Sequence, residues 1–218
     1  MSQTPGLLER ARHIVVEGPI GVGKTSLARR LAAHLEGELV LEQPERNPFL
    51  ERFYQDRPRY ALATQLCFLF QRLDQLRDLA QPDFFAKTVV ADYLFDKDAL
   101  FARLNLEDDE YALYRQIYEA QAPYIPAPDL VIYLQASPEQ LVARVRRRGL
   151  ERERKIDDDY LARLSQSYSR FFYDYNAAPV MVVNSDHLNF VDRDDDFSLL
   201  LERLATLRSH REYFNRGV

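Results

Sequence analysis

Tryptophan is absent from this chain of 218 residues, and cysteine occurs only once. With a single cysteine, Cys67, the chain has no intramolecular disulfide, which is typical of proteins that stay in a reducing compartment. Cys67 lies in an apolar stretch of helical spacing, so we expect a buried thiol rather than a reactive one. The four histidines are scattered, and the sequence therefore offers no spacing typical of a zinc site.

Long apolar runs are also missing, since none approaches the ~20 residues that a membrane-spanning helix needs. The first predicted strand begins near His13, which leaves no room before it for a secretory signal peptide. The net charge of -5 gives no general reason to expect binding to nucleic acid or to lipid surfaces. We therefore expect a cytoplasmic protein that binds neither a membrane nor a nucleic-acid polymer.

The composition is that of a globular protein, with 46% hydrophobic and 29% charged residues. The length suits one α/β domain spanning residues 1–218. Short β-branched segments alternate with longer segments of helical period, which is typical of parallel strands joined by crossover helices. This pattern predicts a doubly wound, five-stranded parallel sheet flanked by helices, with ligands at the carboxyl ends of the strands. The strands are predicted at residues 14–16, 39–41, 88–91, 130–134 and 180–183.

Two long helices are predicted between these strands. Leucines at three- and four-residue steps indicate an amphipathic helix over residues 62–76, and a tyrosine-rich helix is expected over residues 107–122. We interpret the acidic run at residues 192–196 as a loop before a final helix. The apolar positions of that final helix are Leu200, Leu204 and Leu207.

A glycine-rich loop follows the first strand and opens the next helix. Residues 18–25 match the pattern of a glycine, four residues and then Gly-Lys-Thr, whose backbone N–H groups surround phosphates. We expect Lys24 to reach the terminal phosphates of ATP and Thr25 to ligate Mg²⁺. A glycine-rich turn with an incidental lysine is the alternative, but it does not explain the strand and helix on either side. The motif predicts a fold of the P-loop NTPase type, with ATP contacts from Gly18, Gly21, Gly23, Lys24, Thr25 and Ser26.

One basic segment stands out in this acidic chain. Its members are Arg144, Arg146, Arg147, Arg148, Arg152, Arg154 and Lys155. Arg144 and Arg148 are four residues apart on one helical face, and Gly149 suits the end of that helix. Guanidinium groups match phosphate oxygens, so residues 144–156 are predicted to form an arginine-rich lid that binds ATP. We interpret the two arginines between Arg144 and Arg148 as a solvated face.

Polar residues also follow or flank the predicted elements. Glu42 comes after the second strand and Asp92 after the third, at the edge of the sheet where ligands bind. Gln65 and Arg72 are seven residues apart, so they project from the same side of a helix. An amide that donates and accepts hydrogen bonds suits the edge of a base, although polar residues beside an apolar stripe are more often solvated.

In residues 130–139, and in the Arg144, Arg148 and Gly149 that follow, the chain resembles the deoxynucleoside kinase family. Residues 47–54 and 89–97 are most similar to its bacterial deoxyadenosine/deoxyguanosine branch. Other matches fall in the family's order over most of the chain, namely Glu42, Asn47, Pro48, Phe49, Phe53, Tyr54, Gln65, Arg72, Asp98 and Phe101. The resemblance implies ATP-dependent phosphorylation of a deoxynucleoside 5′-hydroxyl, with purines preferred, by a homodimer.

The resemblance also implies roles for residues that bind the acceptor. Glu42 would be the general base that accepts the proton of the attacking hydroxyl. Tyr54 and Glu153 would hold the sugar 3′-hydroxyl, and Phe101 would stack on the base. Gln65, Arg72 and Asp98 would recognise the base.

On the donor side, we expect Lys24, Arg144 and Arg148 to neutralise the charge that develops during transfer. Asp196 and Phe197 resemble a loop that packs against the adenine of ATP.

The chain departs from the family pattern after the third strand. Asp92 resembles the acid of a Glu-Arg-Ser motif, which implies a role in binding Mg²⁺, but Tyr93 and Leu94 replace the arginine and the serine. Lys97 is a candidate to supply the missing cation. In the lid, Leu150 stands where family members often carry a further arginine.

Two alternatives remain open from the residues alone. A nucleoside monophosphate kinase of the thymidylate kinase type shares the phosphate loop and the arginine-rich lid, but it needs extra cations for the acceptor's phosphate. A nucleotide-dependent switch ATPase also shares the phosphate loop, and it would hydrolyse ATP without phosphorylating an acceptor.

Overall fold

The computed structural model of the protein describes residues 6–79, 87–121, 125–190 and 193–215. The strands are β1 His13–Glu17, β2 Glu38–Val40, β3 Val89–Ala91, β4 Leu130–Gln135, β5 Val180–Asn184 and β6 Arg211–Phe214. They form one sheet in the order β2-β3-β1-β4-β5-β6, and each neighbouring pair is parallel. The doubly wound parallel sheet is therefore confirmed, with β1 near its centre.

The five predicted strands are confirmed, each with ends within one residue of the prediction. The described part of the chain contains a sixth strand, β6, which the sequence analysis did not predict. Only Phe214 of its four residues is buried. An edge strand of this kind lacks the apolar run by which the other strands are recognised.

The helices connect the strands as crossovers. Their bounds are α1 Leu7–Arg10, α2 Lys24–His34, α3 Leu50–Gln55, α4 Arg57–Leu79, α5 Lys97–Asn105, α6 Asp108–Gln121, α7 Pro138–Arg148, α8 Asp158–Asp174 and α9 Asp194–Ala205. The helix predicted over residues 62–76 lies within α4, and the tyrosine-rich helix is α6. The last residue predicted for α6, Ala122, lies outside the described residues.

The acidic run needs a correction. Asp194, Asp195 and Asp196 form the first turn of α9 rather than a loop, because carboxylates at a helix N-terminus interact favourably with the helix dipole. Asp192 lies outside the described residues. The final helix ends at Ala205, so Leu207, which we assigned to it, follows the helix and is buried there.

The core lies on both faces of the sheet. Alternate residues of β1 and β4 point to opposite faces. On one face they pack with apolar residues of α2 and α9, and on the other with those of α8. A third apolar cluster joins α3, α4, α5 and α6. This packing leaves the carboxyl ends of the central strands as the edge at which the phosphate loop, α4 and α5 meet.

None of the helices in the described ranges is long and apolar enough to cross a membrane.

Candidate active site

The phosphate loop joins β1 to α2, and it requires glycine at two positions because a Cβ atom would not fit there. Gly18 has a φ of +152°, and a Cβ there would lie 2.2 Å from the carbonyl oxygen of Leu134 in β4. Gly21 has a φ of +86°, and a Cβ there would lie 2.8 Å from Cγ2 of Val145 in α7. The loop is thus pressed against the sheet and against α7, with its backbone at the N-terminus of α2, where anions bind.

Lys24 opens α2 and lies over the phosphate loop. Its Nζ donates to the carbonyl oxygens of Gly18 at 2.7 Å and Pro19 at 3.2 Å. Burial lowers the pKa of Lys24, and the neighbouring carboxylate of Glu17 opposes this shift. Its ammonium thus contacts carbonyl oxygens of the loop itself, where a phosphate bound by the loop would meet it.

Asp92, directly after β3, ties the phosphate loop to the end of β2. Its Oδ2 accepts a hydrogen bond from Thr25 Oγ1 at 2.5 Å, and its Oδ1 accepts one from the backbone N–H of Glu42 at 2.7 Å. The described residues contain no group of three or more His, Cys, Asp or Glu that could hold a metal ion. The oxygens of Thr25 and Asp92 nevertheless fit Mg²⁺, because this ion needs few protein ligands when phosphates and water complete its shell.

A cavity of about 660 Å³ opens at the carboxyl ends of β2 and β3. We call it the acceptor cavity, because six of the seven predicted acceptor contacts lie on its wall, namely Glu42, Tyr54, Gln65, Arg72, Phe101 and Glu153. Lys24 and Thr25 lie on the same wall, so the phosphate loop and these residues face one space. Asp98, the seventh, is fully buried and is not among the lining residues of the described chain.

Gln65 and Arg72 project from the same side of α4, as the seven-residue spacing predicts. Both are buried, with exposures of 3% and 4%. The Oε1 atom of Gln65 has no hydrogen-bond partner among the described residues. Leaving a buried amide oxygen unpaired costs free energy, so Gln65 is suited to accept a hydrogen bond from a ligand in the acceptor cavity.

Two cations hold the carboxylate of Glu42. Arg72 Nε donates to Glu42 Oε1 at 3.0 Å, and Nη2 of Arg72 donates to the same oxygen. Lys97 Nζ lies 3.2 Å from Oε1 and 3.3 Å from Oε2. Burial by itself raises the pKa of Glu42, but Lys97 and Arg72 outweigh burial and hold this pKa well below its ordinary value. Glu42 is therefore ionised at neutral pH and accepts hydrogen bonds.

Arg72 also braces the acid behind it. Its Nη1 lies 2.6 Å from Asp98 Oδ1. Burial raises the pKa of Asp98, and the charge of Arg72 opposes that shift. Arg72 thus connects Asp98, in the interior, to Glu42, on the cavity wall.

Glu17, the last residue of β1, is a fully buried carboxylate to which the sequence analysis gave no role. It accepts hydrogen bonds from the backbone N–H groups of Gly18 at 2.8 Å and Leu94 at 2.5 Å, and from the hydroxyl of Tyr168 at 2.9 Å. A charged residue at the carboxyl end of a central strand was the available signal, because such a strand is otherwise apolar.

A second cavity, of about 590 Å³, lies between the phosphate loop, α7 and the segment after β5. We call it the donor cavity, because the predicted ATP contacts Gly21, Gly23, Lys24, Thr25, Ser26, Arg144 and Arg148 lie on its wall. Arg147, which we interpreted as part of a solvated face, also lines it. Arg146 is exposed and pairs with Asp158 at 2.8 Å, as expected of a solvated residue. The side chain of Arg152 lies outside the described part of the chain.

The two predicted lid arginines have different partners. Arg144 donates to the carbonyl oxygens of Val22 at 3.3 Å and Ser185 at 2.5 Å. Arg148 forms a two-pronged pair with Glu153, with Nη2 2.6 Å from Oε1 and Nε 3.1 Å from Oε2. Arg148 lines both cavities, so its pair with Glu153 joins the donor side to the acceptor side.

Asp196 and Phe197 lie behind the donor cavity rather than among the described residues that line it. Asp196 Oδ2 accepts a hydrogen bond from the backbone N–H of Asn189 at 2.8 Å, and the ring of Phe197 lies 4.3 Å from the guanidinium of Arg30. The wall is instead formed by residues that we did not predict, Asp186, His187, Leu188, Asn189, Phe190 and Arg193. Their position after β5, at the carboxyl edge of the sheet, was the only signal for them.

Comparison with known proteins agrees with this geometry. The deoxynucleoside kinase family matches residues 14–208. A deoxyguanosine kinase of Bacillus subtilis (strain 168) is 33% identical over 205 residues, which cover 91% of this chain and 96% of the relative. A deoxyadenosine kinase of Lactobacillus acidophilus is 34% identical over 192 residues, which cover 82% and 87%.

A solved structure of a deoxyadenosine kinase from M. mycoides has the same fold, with a TM-score of 0.77 at 24% identity, over 89% of this chain and 99% of that one. The family thus matches most of the chain, and two of its relatives are more than 30% identical. The chain therefore belongs to the deoxynucleoside kinase family and is an enzyme that phosphorylates deoxynucleosides with ATP as the phosphoryl donor.

Proposed function

We propose that this kinase transfers the γ-phosphoryl group of ATP to the 5′-hydroxyl of purine deoxynucleosides, with Glu42 as the group that receives the hydroxyl proton. The observation that carries the proposal is the ionised carboxylate of Glu42, on the wall of the acceptor cavity and bonded through its backbone to Asp92 beside the phosphate loop. A hydroxyl that faces Glu42 in that cavity also faces Lys24. The names of two relatives, a deoxyguanosine kinase and a deoxyadenosine kinase, support purines as acceptors.

On the donor side, the backbone of the phosphate loop at Gly18, Gly21, Gly23 and Ser26 holds the phosphates, and Lys24 binds the terminal ones. Arg144 and Arg148, in the lid at residues 144–156, add positive charge where the transferring group becomes more negative. Asp196 supports the adenine side from behind, since it accepts a hydrogen bond from the backbone of Asn189 in the segment that lines the donor cavity, and Phe197 packs beside it against Arg30.

Mg²⁺ would be held by Thr25 and Asp92, and when bound it neutralises phosphate charge and orients the triphosphate. The hydrogen bond between these two residues keeps both oxygens at one place beside the loop. Asp92 also fixes the backbone of Glu42, so the metal site and the proposed base share one support.

On the acceptor side, the demand on Glu42 is orientation rather than strong basicity, because phosphoryl transfer proceeds through a loose transition state. A carboxylate with a low pKa meets that demand by accepting a hydrogen bond from the 5′-hydroxyl. Tyr54 and Glu153 hold the sugar 3′-hydroxyl, and Phe101 stacks on the base. Gln65 reads the edge of the base, with Arg72 and Asp98 bracing that contact.

The function is tested with ATP labelled in the γ-phosphate and each of the four common deoxynucleosides as acceptor. We expect deoxyadenosine and deoxyguanosine to be labelled at least about tenfold faster than the pyrimidines, since one mismatched hydrogen bond lowers the rate by at least that factor. No label in any of the four would contradict the function, whereas faster labelling of a pyrimidine would contradict only the purine preference.

Two controls separate this activity from the alternatives. With thymidine monophosphate as acceptor we expect no transfer above background, which excludes a thymidylate kinase. Without any acceptor we expect ATP hydrolysis to stay far below the rate of transfer, which excludes a switch ATPase.

We also propose that residues 1–218 form one domain and that two copies associate in the cytoplasm, where ATP serves as phosphoryl donor. Phe70 in α4 and Leu113 in α6 are large apolar residues with exposures of 51% and 48%, which suits a subunit contact. Light scattering should give the mass of a dimer, and a variant with both residues changed to Asp should be a monomer. A wild-type monomer at micromolar concentration contradicts the proposal.

A further inference from the structure

Lys97, the first residue of α5, is a buried lysine with an exposure of 2%. Lysine is almost never fully buried unless an opposite charge is close to it. Here two carboxylates are close: Nζ lies 3.6 Å from Glu17 Oε2, and 3.2 Å from Glu42 Oε1. Glu17 is at the end of β1, and Glu42 is just beyond β2, so one ammonium bridges two strand ends.

The position of Lys97 complements that of Arg72. Arg72 reaches Glu42 from α4 and bonds to Oε1 only, whereas Lys97 reaches it from α5 and contacts both oxygens. A carboxylate held from two helices has little freedom to rotate about its last bond. Because a general base must be in place before the hydroxyl arrives, such a restraint contributes directly to rate.

The anchor of this restraint is Glu17. Its two oxygens already accept hydrogen bonds from two backbone N–H groups and from Tyr168, so the carboxylate has a single orientation. Lys97 is therefore attached at one end to a fixed carboxylate and at the other to Glu42, whose side chain is 22% exposed to the acceptor cavity.

The residue after Asp92 does not supply a cation in this chain. Tyr93 is buried at that position, with an exposure of 1%, and its ring centroid lies 5.9 Å from Lys97 Nζ. Within the described residues, the cations that pair with Glu42 are thus Arg72 and Lys97. Lys97, which the sequence analysis names as a candidate for the missing cation, follows Asp92 by five residues, and the turn between β3 and α5 brings it back to the strand end.

We propose that Lys97 is a positioning residue for Glu42, and that α5 supplies through it the cation absent after the third strand. Lys97 orients the carboxylate of Glu42 toward the acceptor hydroxyl and acts on the reaction only through Glu42. The inference rests on the proposed function, because it requires Glu42 to take part in the transfer.

A double-mutant cycle tests the inference, with Lys97→Met and Glu42→Gln made singly and together. We expect Lys97→Met to lower kcat about 10- to 100-fold, the usual effect of losing a group that orients a reacting side chain, with KM for ATP changed less than about threefold. In the Glu42→Gln background, Lys97→Met should lower kcat by less than about threefold, because the group on which it acts is already gone. A purely structural role would lower kcat equally in both backgrounds.

Lys87→Met is the matched control, because Lys87 is exposed and lies before β3, away from both carboxylates. It should leave kcat and KM unchanged. If Lys97→Met does not fold, Lys97→Gln replaces it, since Gln keeps a hydrogen-bond donor toward Glu42 without the charge. Circular dichroism and ATP binding show which variants are folded.

The outcomes separate the inference from the function on which it rests. A wild-type enzyme that labels no deoxynucleoside overturns the function and the inference with it. A wild-type enzyme that is active, with a Lys97 variant of unchanged kcat or with equal losses in both backgrounds, overturns only the role of Lys97.

Discussion

The donor cavity and the acceptor cavity handle charge in opposite ways. In the donor cavity, Arg147 and Arg148 are exposed. In the acceptor cavity, Arg72 has a side-chain exposure of 5%, and it pairs with Glu42 and with the fully buried Asp98. Lys97 is buried between two carboxylates in the same way. Two arginines are therefore exposed where ATP is proposed to bind, beside the half-buried Lys24 and Arg144, whereas the cations are buried in pairs where a nucleoside is proposed to bind.

The charge of each ligand explains this difference. A triphosphate brings its own negative charge, so arginines that are solvated beforehand lose little when they bind it. A nucleoside is neutral and offers no charge to compensate a buried ion. The protein must supply the opposite charge itself, because an unpaired buried ion costs several kcal/mol. The buried ion pairs of the acceptor side are thus in place before a nucleoside binds, whereas the exposed arginines of the donor side would be neutralised by the triphosphate.

The largest expected effect comes from breaking the buried pairs of the acceptor side. Arg72→Met removes one of the two cations paired with Glu42 and the arginine paired with Asp98. We expect it to lower the free energy of unfolding by about 3–5 kcal/mol, as for other broken buried pairs. The matched change on the donor side, Arg147→Met, should alter stability by less than about 0.5 kcal/mol. Urea unfolding followed by circular dichroism measures both, and equal losses would remove the contrast between the two cavities.

The next effect concerns the carboxylate of Glu42 on the wall of the acceptor cavity. Glu42→Gln should lower kcat by ~100-fold or more, because the amide no longer accepts the proton of the acceptor hydroxyl. Binding of ATP, measured by calorimetry, should be unchanged. Glu38→Gln is the control, since Glu38 is exposed at the opposite end of β2. Unchanged turnover in Glu42→Gln would reject Glu42 as the base.

A smaller effect, on the KM of both substrates, is expected at the arginine that lines both cavities. Arg148→Met removes the two-pronged pair with Glu153, and Arg148 lines both cavities. We expect KM for ATP and KM for deoxyadenosine each to rise about tenfold, the equivalent of one charge-assisted hydrogen bond. Arg147→Met, on the donor side only, should raise KM for ATP alone. Initial-rate kinetics with both substrates varied distinguish the two patterns.

The smallest expected effect comes from removing the hydrogen bond between Tyr168 and Glu17 on the acceptor side. Tyr168→Phe removes the hydroxyl that donates to Glu17 Oε1 but keeps the ring that stacks near Tyr133. We expect a loss of about 1 kcal/mol in the free energy of unfolding, the usual contribution of a buried hydrogen bond. Thermal unfolding measures it. Tyr173→Phe, at an exposed position in the same helix, should leave the free energy of unfolding unchanged.

The elements that the sequence predicted well are those with a strong local pattern. The five central strands are short apolar runs, and the phosphate loop is a contiguous motif with its strand and helix in place. The sequence did not predict β6, because an edge strand with one buried residue has no such pattern. The acidic run is typical of a solvated loop, but its carboxylates suit the first turn of α9 equally well, and the pattern of charges does not distinguish the two.

The residues of the site also differ in whether a local sequence pattern could predict them. The spacing of Gln65 and Arg72 follows from helical geometry, and both reach the acceptor cavity as expected. The resemblance implies that Asp98 recognises the base, but Asp98 lies behind Arg72, because the start of α5 turns its side chain into the interior. The segment after β5 that lines the donor cavity carries no motif, so only its position in the fold reveals it.

The amino-acid sequence by itself determined the phosphate loop, the alternation of strands and helices, and therefore the edge of the sheet at which ligands bind. These follow from interactions between residues close in the chain, which the printed order shows directly. Only the tertiary structure decided which charges pair at that edge. Glu17, Glu42, Arg72 and Lys97 come from four separate elements, and their partners depend on how the chain crosses over the sheet. The distances between their charged atoms exist only after packing has brought those elements together.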